Sequence, residues 1–589
     1  MNLIVVSNRV DSGDAKQPKI GGLAAALLPV VEQSGAIWVG SSGQLGDGCR
    51  KAPPVETLGA GKLVTLNVPA VHYRRYYEGF ANSALWPALH SRTDLIDASA
   101  LDYLSYREIN TVMAKRLLRF DEPTAFWVHD YHFLPLGTEL RKVGIKQPIG
   151  FFLHTPWPLP AMMRSVPRHR ELIEAMLAYD LIGFQTEEDR RNFIAYVSTD
   201  LRHLRLTIED CVVTSGHGQT RSQVFPIGID PVKFAELSAD AASEPWISWI
   251  RRGLNSEKIA ISVDRIDYSK GIDKRLHALN RLWTERPHLA HSISLLQIAT
   301  PSRSGIEAYS NLQKDVARLV CDINNRHRRG DWTPISHFEE GFSQADLAIL
   351  YRAAKVAVVT PLRDGMNLVA KEYVAAQDPN DPGVLILSKF AGAAKELKEA
   401  LLVDPNNIDD IADKISAAIS MSLAERISRW QDMVGTLRAY PIQRWTADFV
   451  AELEKIRTEK LAGQFSPRNV GEPSGSKGKV EGKLAGVASH LDLPRRLSRP
   501  AFDVRARRLD DDFTHIVGSG WNHGPQLAPD VLLGVLNRVD AFPRPFQPTT
   551  NFYIHGHPYM AQLAAGLREV TPNNPLGVNV ILIPRLKGG

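Results

Sequence analysis

Cysteine is scarce in this sequence of 589 residues, which contains only Cys49, Cys211 and Cys321. The three lie far apart and show none of the short spacings that zinc sites use, so neither a zinc site nor a disulfide framework is indicated. This excludes the class of disulfide-rich secreted proteins, and few cysteines are typical of a reducing compartment. We therefore expect a cytoplasmic protein.

Long apolar runs are lacking as well. No stretch approaches the roughly 20 apolar residues of a membrane-spanning helix, and the apolar run at residues 3–6 is too short for a signal peptide. Hydrophobic residues make up 44% of the chain and charged residues 23%, as in globular proteins that fold in water. We expect no membrane partner, and the length suggests two large domains and a further segment.

A general excess of positive charge is missing too. The formal net charge is +5, but residues 465–508 alone contain ten Lys and Arg against four Asp and Glu, so the rest of the chain is close to neutral. A basic surface on the folded part would be needed to bind nucleic acid, so we expect no such partner. Gly, Ser, Pro, Lys and Arg dominate this basic stretch. The composition predicts an extension over 461–589 that is linker-like to about residue 508, and we assign it no function.

The rest of the chain repeats one pattern, in which a short apolar run ends in polar residues and a helical pattern follows. The apolar runs lie at residues 3–6, 37–40, 63–66, 125–128, 149–153, 181–184, 258–263, 294–299, 356–359 and 384–388. Strands that alternate with helices predict an α/β fold with two doubly wound, Rossmann-like domains that face a central cleft. We place the N-terminal domain at 1–232 and the C-terminal domain at 233–460. The last helix, predicted at 444–457, is free to pack back on the first domain.

Residues 355–373, KVAVVTPLRDGMNLVAKEY, combine a buried strand, a loop and a helix that Asn367 caps just before Leu368. Ligands of open α/β sheets bind outside the carboxyl ends of the strands, where a helix N-terminus offers N–H groups to a phosphate. Asp364 and Glu372 would then bind sugar hydroxyls on either side of that phosphate. The alternative is a well-capped helix with an ordinary acidic loop.

Two more loops suit a diphosphate. Arg265 and Lys270 follow the strand at 258–263, and an arginine with a lysine can converge on one pyrophosphate. Ordinary surface salt bridges are the alternative. Gly21 and Gly22 precede a predicted helix and allow close backbone approach to a ligand. The pattern GxGxxG is absent there, so a nicotinamide cofactor is not indicated.

The acceptor side of the predicted cleft is rich in aromatic and polar groups. Tyr77 and Trp86 stand in a dense aromatic stretch that suits a sugar face, although core packing is the ordinary explanation for such a stretch. Asp130 and His154 follow the strands at 125–128 and 149–153, and Arg303 follows the strand at 294–299. A metal bound by His129, His132 and His154 lacks a supporting carboxylate spacing, so we expect no metal and no cofactor. The whole set predicts a nucleotide-sugar donor that faces an acceptor across a cleft.

These residues resemble a known family. The sequence is similar to the trehalose-6-phosphate synthases, retaining glycosyltransferases with two Rossmann-like domains (the GT-B type), from Met1 to about Lys460. The shared stretches are VVSNR, GGL, YY followed by NSALWP, WVHDYH, GFFLHTPWP, GFQT, FPIGI, DYSKG and TPLRDGMNLVAKEYVAAQ.

The resemblance implies a role for each matching residue. Gly21, Gly22, Arg265 and Lys270 would contact the donor diphosphate, Leu368 and Val369 the phosphates, and Glu372 the ribose. Phe342 would meet the uracil through its backbone, and Asp364 and His154 would hold the donor glucose. Together with Arg265 and Lys270 these two form the predicted catalytic set. The acceptor would be bound by Arg9, Tyr77, Trp86, Asp130 and Arg303.

The implied reaction transfers glucose from UDP-glucose to glucose 6-phosphate with retention, in trehalose biosynthesis and osmoprotection. Two alternatives stay open: another small phosphorylated acceptor such as glycerol 3-phosphate, and a catalytically silent member that regulates partners. We also expect a homo-oligomer, but the oligomeric state and the preference among UDP, GDP and ADP are not readable from the sequence.

Overall fold

The computed structural model describes residues 2–10, 22–45, 55–120, 123–239, 250, 252–465, 504–508, 514–518, 550–555 and 578–583. Residues 1–470 form one compact unit and residues 471–589 another. Of the cysteines, Cys211 and Cys321 are free thiols, and Cys49 lies outside the described residues. Among the described helices, none combines the length and the apolar character needed to cross a membrane.

The first half of the chain builds a ten-stranded sheet. Its strands are β1 (Leu3–Arg9), β2 (Ile37–Leu45), β3 (Val55–Leu58), β4 (Gly61–Val68), β5 (Ala125–His129), β6 (Ile149–Phe152), β7 (Leu181–Phe184), β8 (Thr207–Glu209), β9 (Val212–Ser215) and β10 (Gly218–Val224). The order is β3-β4-β2-β1-β5-β6-β7-β10-β9-β8. The strands from β4 to β10 in this order pair in parallel, and antiparallel strands extend both edges. The parallel arrangement aligns the carboxyl ends of β1, β5 and β6 along one edge.

Helices connect these strands and cover the sheet. They are α1 (Gly22–Ser34), α2 (Ala70–Tyr73), α3 (Trp86–Leu89), α4 (Ala100–Leu117), α5 (Leu136–Lys142), α6 (Pro160–Met163), α7 (His169–Met176), α8 (Glu187–Asp200) and α9 (Pro231–Ser238). Ser99 starts α4 with a capping box, since its side chain accepts from the backbone N–H of Asp102 and the Asp102 carboxylate accepts from that of Ser99. Between α2 and α3 the chain forms a π-helical segment, Arg74–Leu85, a geometry that is frequent at functional sites.

The second half builds a six-stranded sheet that is parallel throughout. Its strands are β11 (Lys258–Arg265), β12 (Ile293–Thr300), β13 (Ile335–Phe338), β14 (Val356–Val359), β15 (Val384–Ser388) and β16 (Leu401–Val403), in the order β13-β12-β11-β14-β15-β16. Strand β14, at the centre of the sheet, is buried along its whole length, as expected for an all-parallel sheet. The predicted α/β fold with two parallel sheets is confirmed.

The helices of the second half are α10 (Ile272–Glu285), α11 (Glu307–His327), α12 (Gln344–Ala353), α13 (Leu368–Ala375), α14 (Ile408–Ser420), α15 (Leu423–Ala439) and α16 (Ile442–Phe465). Leu276, Leu279 and Leu282 are all buried and form the apolar face of α10. The predicted bounds of the last helix, 444–457, were too short, because α16 continues to Phe465.

Helix α16 packs on the first sheet rather than the second. The ring of Phe449 stacks on that of Trp127 in β5 at a centroid distance of 4.7 Å. A Cβ at Gly150 in β6 would lie 2.7 Å from the Phe449 ring, so the bare glycine backbone allows the helix to approach. The chain thus crosses from the first half to the second once and returns once.

The first crossing corrects a predicted strand. The sequence of residues 224–230 predicts a last strand and a turn, but β10 ends at Val224 and residues 225–230 form a link without a strand. The backbone N–H of Ile227 donates to the side-chain oxygen of Gln185 at 3.1 Å, and that of Ile442 donates to the carbonyl of Ile229 at 2.9 Å. The outgoing and returning segments are therefore hydrogen-bonded neighbours.

The extension contains four described strands, β17 (Val504–Arg508), β18 (Thr514–Gly518), β19 (Thr550–His555) and β20 (Val578–Ile583). Strands β17 and β18 pair antiparallel, whereas β19 and β20 pair in parallel. The apolar run at 578–583 is thus a strand of this second unit.

Candidate functional site

The loop after β11 brings a lysine to the carboxyl edge of the second sheet. Arg265 is the last residue of β11 rather than a loop residue, and Lys270 closes a 3-10 turn that follows it. The Lys270 Nζ lies 2.5 Å from Oδ2 of Asp364, which stands in the loop after β14. Burial alone would raise the pKa of Asp364, but the opposing effect of the Lys270 ammonium is larger. The pKa of Asp364 is therefore below its usual value, and the carboxylate is ionised in the folded protein.

Helix α13 presents its N-terminus beside this ion pair. Its cap, Asn367, adopts a left-handed backbone (φ 65°) and accepts a hydrogen bond from the Ala370 N–H at 3.1 Å, so the predicted cap is confirmed. The Asn367 side chain also donates to Oδ2 of Asp364 at 3.1 Å. Leu368 and Val369 follow in the first turn, where backbone N–H groups have no partner within the helix. This arrangement can hold an anion next to Asp364.

Glu372 lies one turn into α13 and is partly buried. Its Oε2 accepts a hydrogen bond from the Tyr351 hydroxyl at 3.3 Å. Burial raises the pKa of Glu372 to about 7, although the Tyr351 hydroxyl lowers it. The carboxylate has no cation as a partner among the described residues, so it is available to sugar hydroxyls.

The resemblance implies that Phe342 meets the uracil and that Gly21 and Gly22 contact the diphosphate. Phe342 follows β13 and meets Phe338 edge to face, with ring centroids 5.9 Å apart. Gly22 is the first residue of α1, and Gly21 lies outside the described residues. No contact joins Phe342 or Gly22 to the Lys270–Asp364 pair in the described part of the chain.

His154 and the Asp364 loop touch across the two halves. A Cβ at Gly365 would lie 2.2 Å from the carbonyl oxygen of His154, so only glycine fits there. The ring of His154 is fixed on both sides, with Nε2 3.0 Å from Nδ1 of His129 and Nδ1 3.2 Å from Sδ of Met366. Burial lowers the pKa of His154 to about 3, which favours a neutral ring at pH 7.

Trp86 and Arg303 form the centre of the acceptor side. The Arg303 guanidinium lies 4.0 Å from the centroid of the Trp86 ring, and that of Arg265 lies 5.6 Å from it. Arg303 comes from the loop after β12 and Trp86 from the start of α3. The two halves therefore contribute jointly to this cluster.

Arg9 and Tyr77 lie at the far end of a row of rings. The Arg9 guanidinium donates to the Tyr73 hydroxyl at 2.9 Å and lies 5.9 Å from the Tyr77 centroid. Tyr77 stacks almost parallel on His132, at 5.7 Å and 7°. The His132 ring in turn lies 4.1 Å from that of Tyr131, which also borders Trp86. The row thus joins the surroundings of Arg9 to those of Arg303.

Asp130 follows His129 in the chain and has an unusual backbone conformation, with a positive φ of 75°. Its Oδ1 accepts from the backbone N–H of His154 at 3.4 Å. Burial raises the pKa of Asp130 to about 6, although two backbone N–H groups and the charges of Arg265 and Arg303 lower it. Strain of this kind is concentrated at functional sites.

Sequence reasoning missed three side chains of this region. Asp267 accepts from both Arg303 and Trp86. Arg363 donates to the Ser91 hydroxyl and to the Trp157 carbonyl, each at 3.3 Å, and so ties the loop of Asp364 to the first half. The Tyr131 hydroxyl accepts from Arg303 at 3.4 Å. All three stand within the motifs DYSKG, TPLRDG and WVHDYH. Their positions just after strand ends could have marked them as site residues.

Within the described ranges, no group of three or more His, Cys, Asp or Glu side chains is placed to hold a metal ion. His129 and His154 contact each other, whereas both ring nitrogens of His132 are buried without a partner in the described structure.

Known proteins match the whole of the first unit. The family model described as "Glycosyltransferase family 20" matches residues 2–455. The trehalose-6-phosphate synthase of Enterobacter sp. (strain 638) is 40% identical over 472 residues, which cover 79% of this chain and 98% of that protein.

Solved structures agree with this match. The α,α-trehalose-phosphate synthase (UDP-forming) of Burkholderia xenovorans, in complex with glucose-6-phosphate, is 39% identical with a TM-score of 0.74 and covers 77% of this chain and 100% of its own. A protein from E. coli bound with UDP-2-fluoro glucose is 37% identical with a TM-score of 0.71, covering 77% and 99%. Because the family model spans most of the chain and the relatives match over nearly their full lengths, this chain belongs to glycosyltransferase family 20.

Proposed function

We propose that this chain transfers glucose from UDP-glucose to glucose 6-phosphate with retention of configuration, giving α,α-trehalose 6-phosphate and UDP. The observation that supports this most strongly is the joint site of the two halves. Trp86 of the first half donates from Nε1 to Asp267 at 3.4 Å, in the loop that carries Lys270 of the second half. A site that spans two sheets can hold a donor and an acceptor against each other.

The donor half of the proposal rests on charge and on the helix end. Lys270 has three hydrogens on Nζ, and Asp364 is its one hydrogen-bond partner in the described structure. Two hydrogens are therefore free for a diphosphate, and Arg265 adds a second cation. The N-terminus of α13 supplies N–H groups at Leu368 and Val369, and Glu372 is placed one turn on for ribose hydroxyls.

The glucose of the donor would lie between the loop of Asp364 and the strand end at His154. The ionised carboxylate of Asp364 can accept hydrogen bonds from sugar hydroxyls. Both ring nitrogens of His154 already have partners, so a sugar hydroxyl would replace the contact with Met366. The close contact of Gly365 with the His154 carbonyl fixes both groups relative to each other.

The acceptor half rests on the two arginines and the row of aromatic rings. Arg9 and Arg303 are suited to a phosphate, because a guanidinium can donate two parallel hydrogen bonds to it. Tyr77 and Trp86 offer ring faces to the sugar, and Asp130 offers a carboxylate to its hydroxyls. An acceptor with a phosphate at one end and a sugar ring fits this set.

In the proposed reaction the bond between C1 of the donor glucose and the diphosphate oxygen breaks, and C1 bonds to the anomeric oxygen of glucose 6-phosphate on the same face. The proton of the attacking hydroxyl passes to the leaving diphosphate. A retaining glycosidase would need a nucleophilic carboxylate facing a second one about 5 Å away, and the front-face route needs neither.

We also propose that the reaction needs no metal. Negative charge grows on the diphosphate as the bond breaks, and Arg265 with Lys270 would stabilise it, as a metal ion does in other transferases. Preorganised cations perform this role without reorganisation during the reaction.

An initial-rate survey tests the proposal. Purified protein would be given UDP-, GDP- or ADP-glucose together with glucose 6-phosphate, glycerol 3-phosphate or no acceptor. We expect nucleotide release to be fastest with UDP-glucose and to require glucose 6-phosphate. Release with glycerol 3-phosphate alone would show a different acceptor, and UDP-glucose binding with no release for any acceptor would favour a regulatory member.

We also propose that the protein is located in the cytoplasm. The free thiols of Cys211 and Cys321 fit the reducing cytoplasm. We propose a homo-oligomer there, and light scattering from the purified full-length chain measures its mass directly.

A further inference from the structure

Asp267 is a fully buried carboxylate at the junction of the proposed donor and acceptor sites. It lies between Arg265, which ends β11, and Lys270, which closes the following turn. Its two oxygens have different partners. Oδ2 accepts from Nη1 of Arg303 at 2.7 Å, whereas Oδ1 accepts from the backbone N–H of Ser269 at 3.0 Å and from Nε1 of Trp86 at 3.4 Å.

Arg303 depends on this carboxylate for its position. Its side chain is only 5% exposed, and its backbone is left-handed with φ 49°. Nη1 is shared between Asp267 and the Tyr309 hydroxyl, both at 2.7 Å. Nε is enclosed and has no acceptor in the described structure. A buried guanidinium nitrogen without an acceptor is costly, so the bonds that Nη1 makes to Asp267 and Tyr309 matter more for holding the side chain.

The two oxygens of the Asp267 carboxylate contact different sides of the site. Oδ1 shapes the turn that carries Lys270, because its bond to the Ser269 N–H closes a local Asx turn. Oδ2 balances the charge of Arg303 and orients its planar fork over Trp86. One side chain therefore sets the geometry of a donor-side turn and of an acceptor-side cation.

We infer that Asp267 is a positioning residue that acts through Arg303 on the phosphate of the acceptor and through the Ser269 turn on the donor loop. The inference rests on the proposed function, because it takes the acceptor to be a sugar phosphate. Because the two carboxylate oxygens have different partners, their roles can be separated by mutation.

Asp267→Asn is the variant that separates them. The amide keeps one oxygen for Ser269 and Trp86, but it places an N–H₂ group against Nη1 of Arg303, where two donors repel. We expect the KM for glucose 6-phosphate to rise by about 10- to 100-fold, the range of a lost charge-assisted hydrogen bond. We expect the Kd for UDP, measured by calorimetry on the same preparation, to change by less than about threefold.

The chain offers a matched control three residues earlier. Asp264 is also buried and pairs with an arginine at 2.7 Å, but its partner Arg275 donates to the carbonyl of Lys270, on the donor side. Asp264→Asn should weaken UDP binding and leave the KM for glucose 6-phosphate close to that of the parent. The opposite patterns of two buried Asp→Asn changes distinguish positioning from a general loss of packing.

A second variant covers the case in which Asp267→Asn does not fold. Tyr309→Phe removes the other partner of Arg303 Nη1 and keeps the ring that lies 5.2 Å from that of Tyr268 in the donor loop. It should raise the KM for glucose 6-phosphate in the same selective way, by a smaller factor.

The parent enzyme serves as the reference for both hypotheses. No UDP release by the parent would contradict the proposed function itself. An active parent with an unchanged acceptor KM in folded Asp267→Asn, or with UDP binding weakened as much as the acceptor KM is raised, would overturn the role of Asp267. If Asp267→Asn does not fold, a Tyr309→Phe variant with an unchanged acceptor KM would overturn it as well.

Discussion

The ion pair between Lys270 and Asp364 gives a prediction whose two consequences can be measured apart. Lys270→Ala removes the ammonium that lies 2.5 Å from the carboxylate. The Lys270 and Asp364 side chains keep 15% and 11% exposure, so some water reaches the stranded carboxylate. We therefore expect a loss of folding stability of at most about 3 kcal/mol, the lower end for breaking a buried pair. Turnover should fall by about 100- to 1,000-fold, as when one preorganised donor to a developing charge is removed.

The measurements are thermal unfolding and UDP release at saturating UDP-glucose and glucose 6-phosphate. The double variant Lys270→Ala/Asp364→Asn removes the stranded charge, so it should recover stability without recovering turnover. Lys274→Ala is the matched control, because Lys274 contacts only Asp273 at the surface of α10, at 3.3 Å, in the described structure. Turnover of Lys270→Ala within about threefold of the parent would refute the role of this lysine.

Three further predictions follow from burial, close packing and charge. Burial raises the pKa of Glu372 from 4.5 to about 7. Ionisation of this carboxyl therefore destabilises the folded state progressively as the pH rises from 4.5 through 7. Glu372→Gln should raise the free energy of unfolding, and with it the Tm, by up to about 3 kcal/mol at pH 8 and leave both unchanged at pH 4. An equal Tm change at both pH values would contradict this. Gly365→Ala should lower turnover by more than about 100-fold, because its Cβ would lie 2.2 Å from the His154 carbonyl and displace the loop of Asp364, whereas Gly435→Ala, which has open space, should leave turnover unchanged. Turnover should also survive dialysis against EDTA, since Arg265 and Lys270 supply the positive charge, and a loss that magnesium restores would disprove the metal-free route.

The central strands of both sheets could be predicted because they are unambiguous in sequence. Runs such as 356–359 are β-branched, short and bounded by loop residues, so few other structures suit them. The cap at Asn367 was also predictable, since an asparagine before an apolar helical pattern has one usual role. Its left-handed backbone was not, because N-cap residues usually have extended backbone dihedrals.

The contacts across the two halves could not be predicted from local patterns. Trp86 and Asp267 are 181 residues apart in sequence, and nothing in either motif specifies the other. Likewise, Arg363 was predicted only as a loop residue, although it bonds to Ser91 and Trp157 in the first half. Edge strands such as β8 and β9 were missed because they are short, polar and partly exposed.

The most direct test of the proposed reaction is the identity of its product. Purified protein would be incubated with UDP-glucose and glucose 6-phosphate, and the product examined by mass spectrometry and proton NMR while UDP is quantified. The account predicts one UDP for each disaccharide phosphate formed, with both anomeric centres in the α configuration. A β-linked product, or UDP release that yields only free glucose, would contradict it.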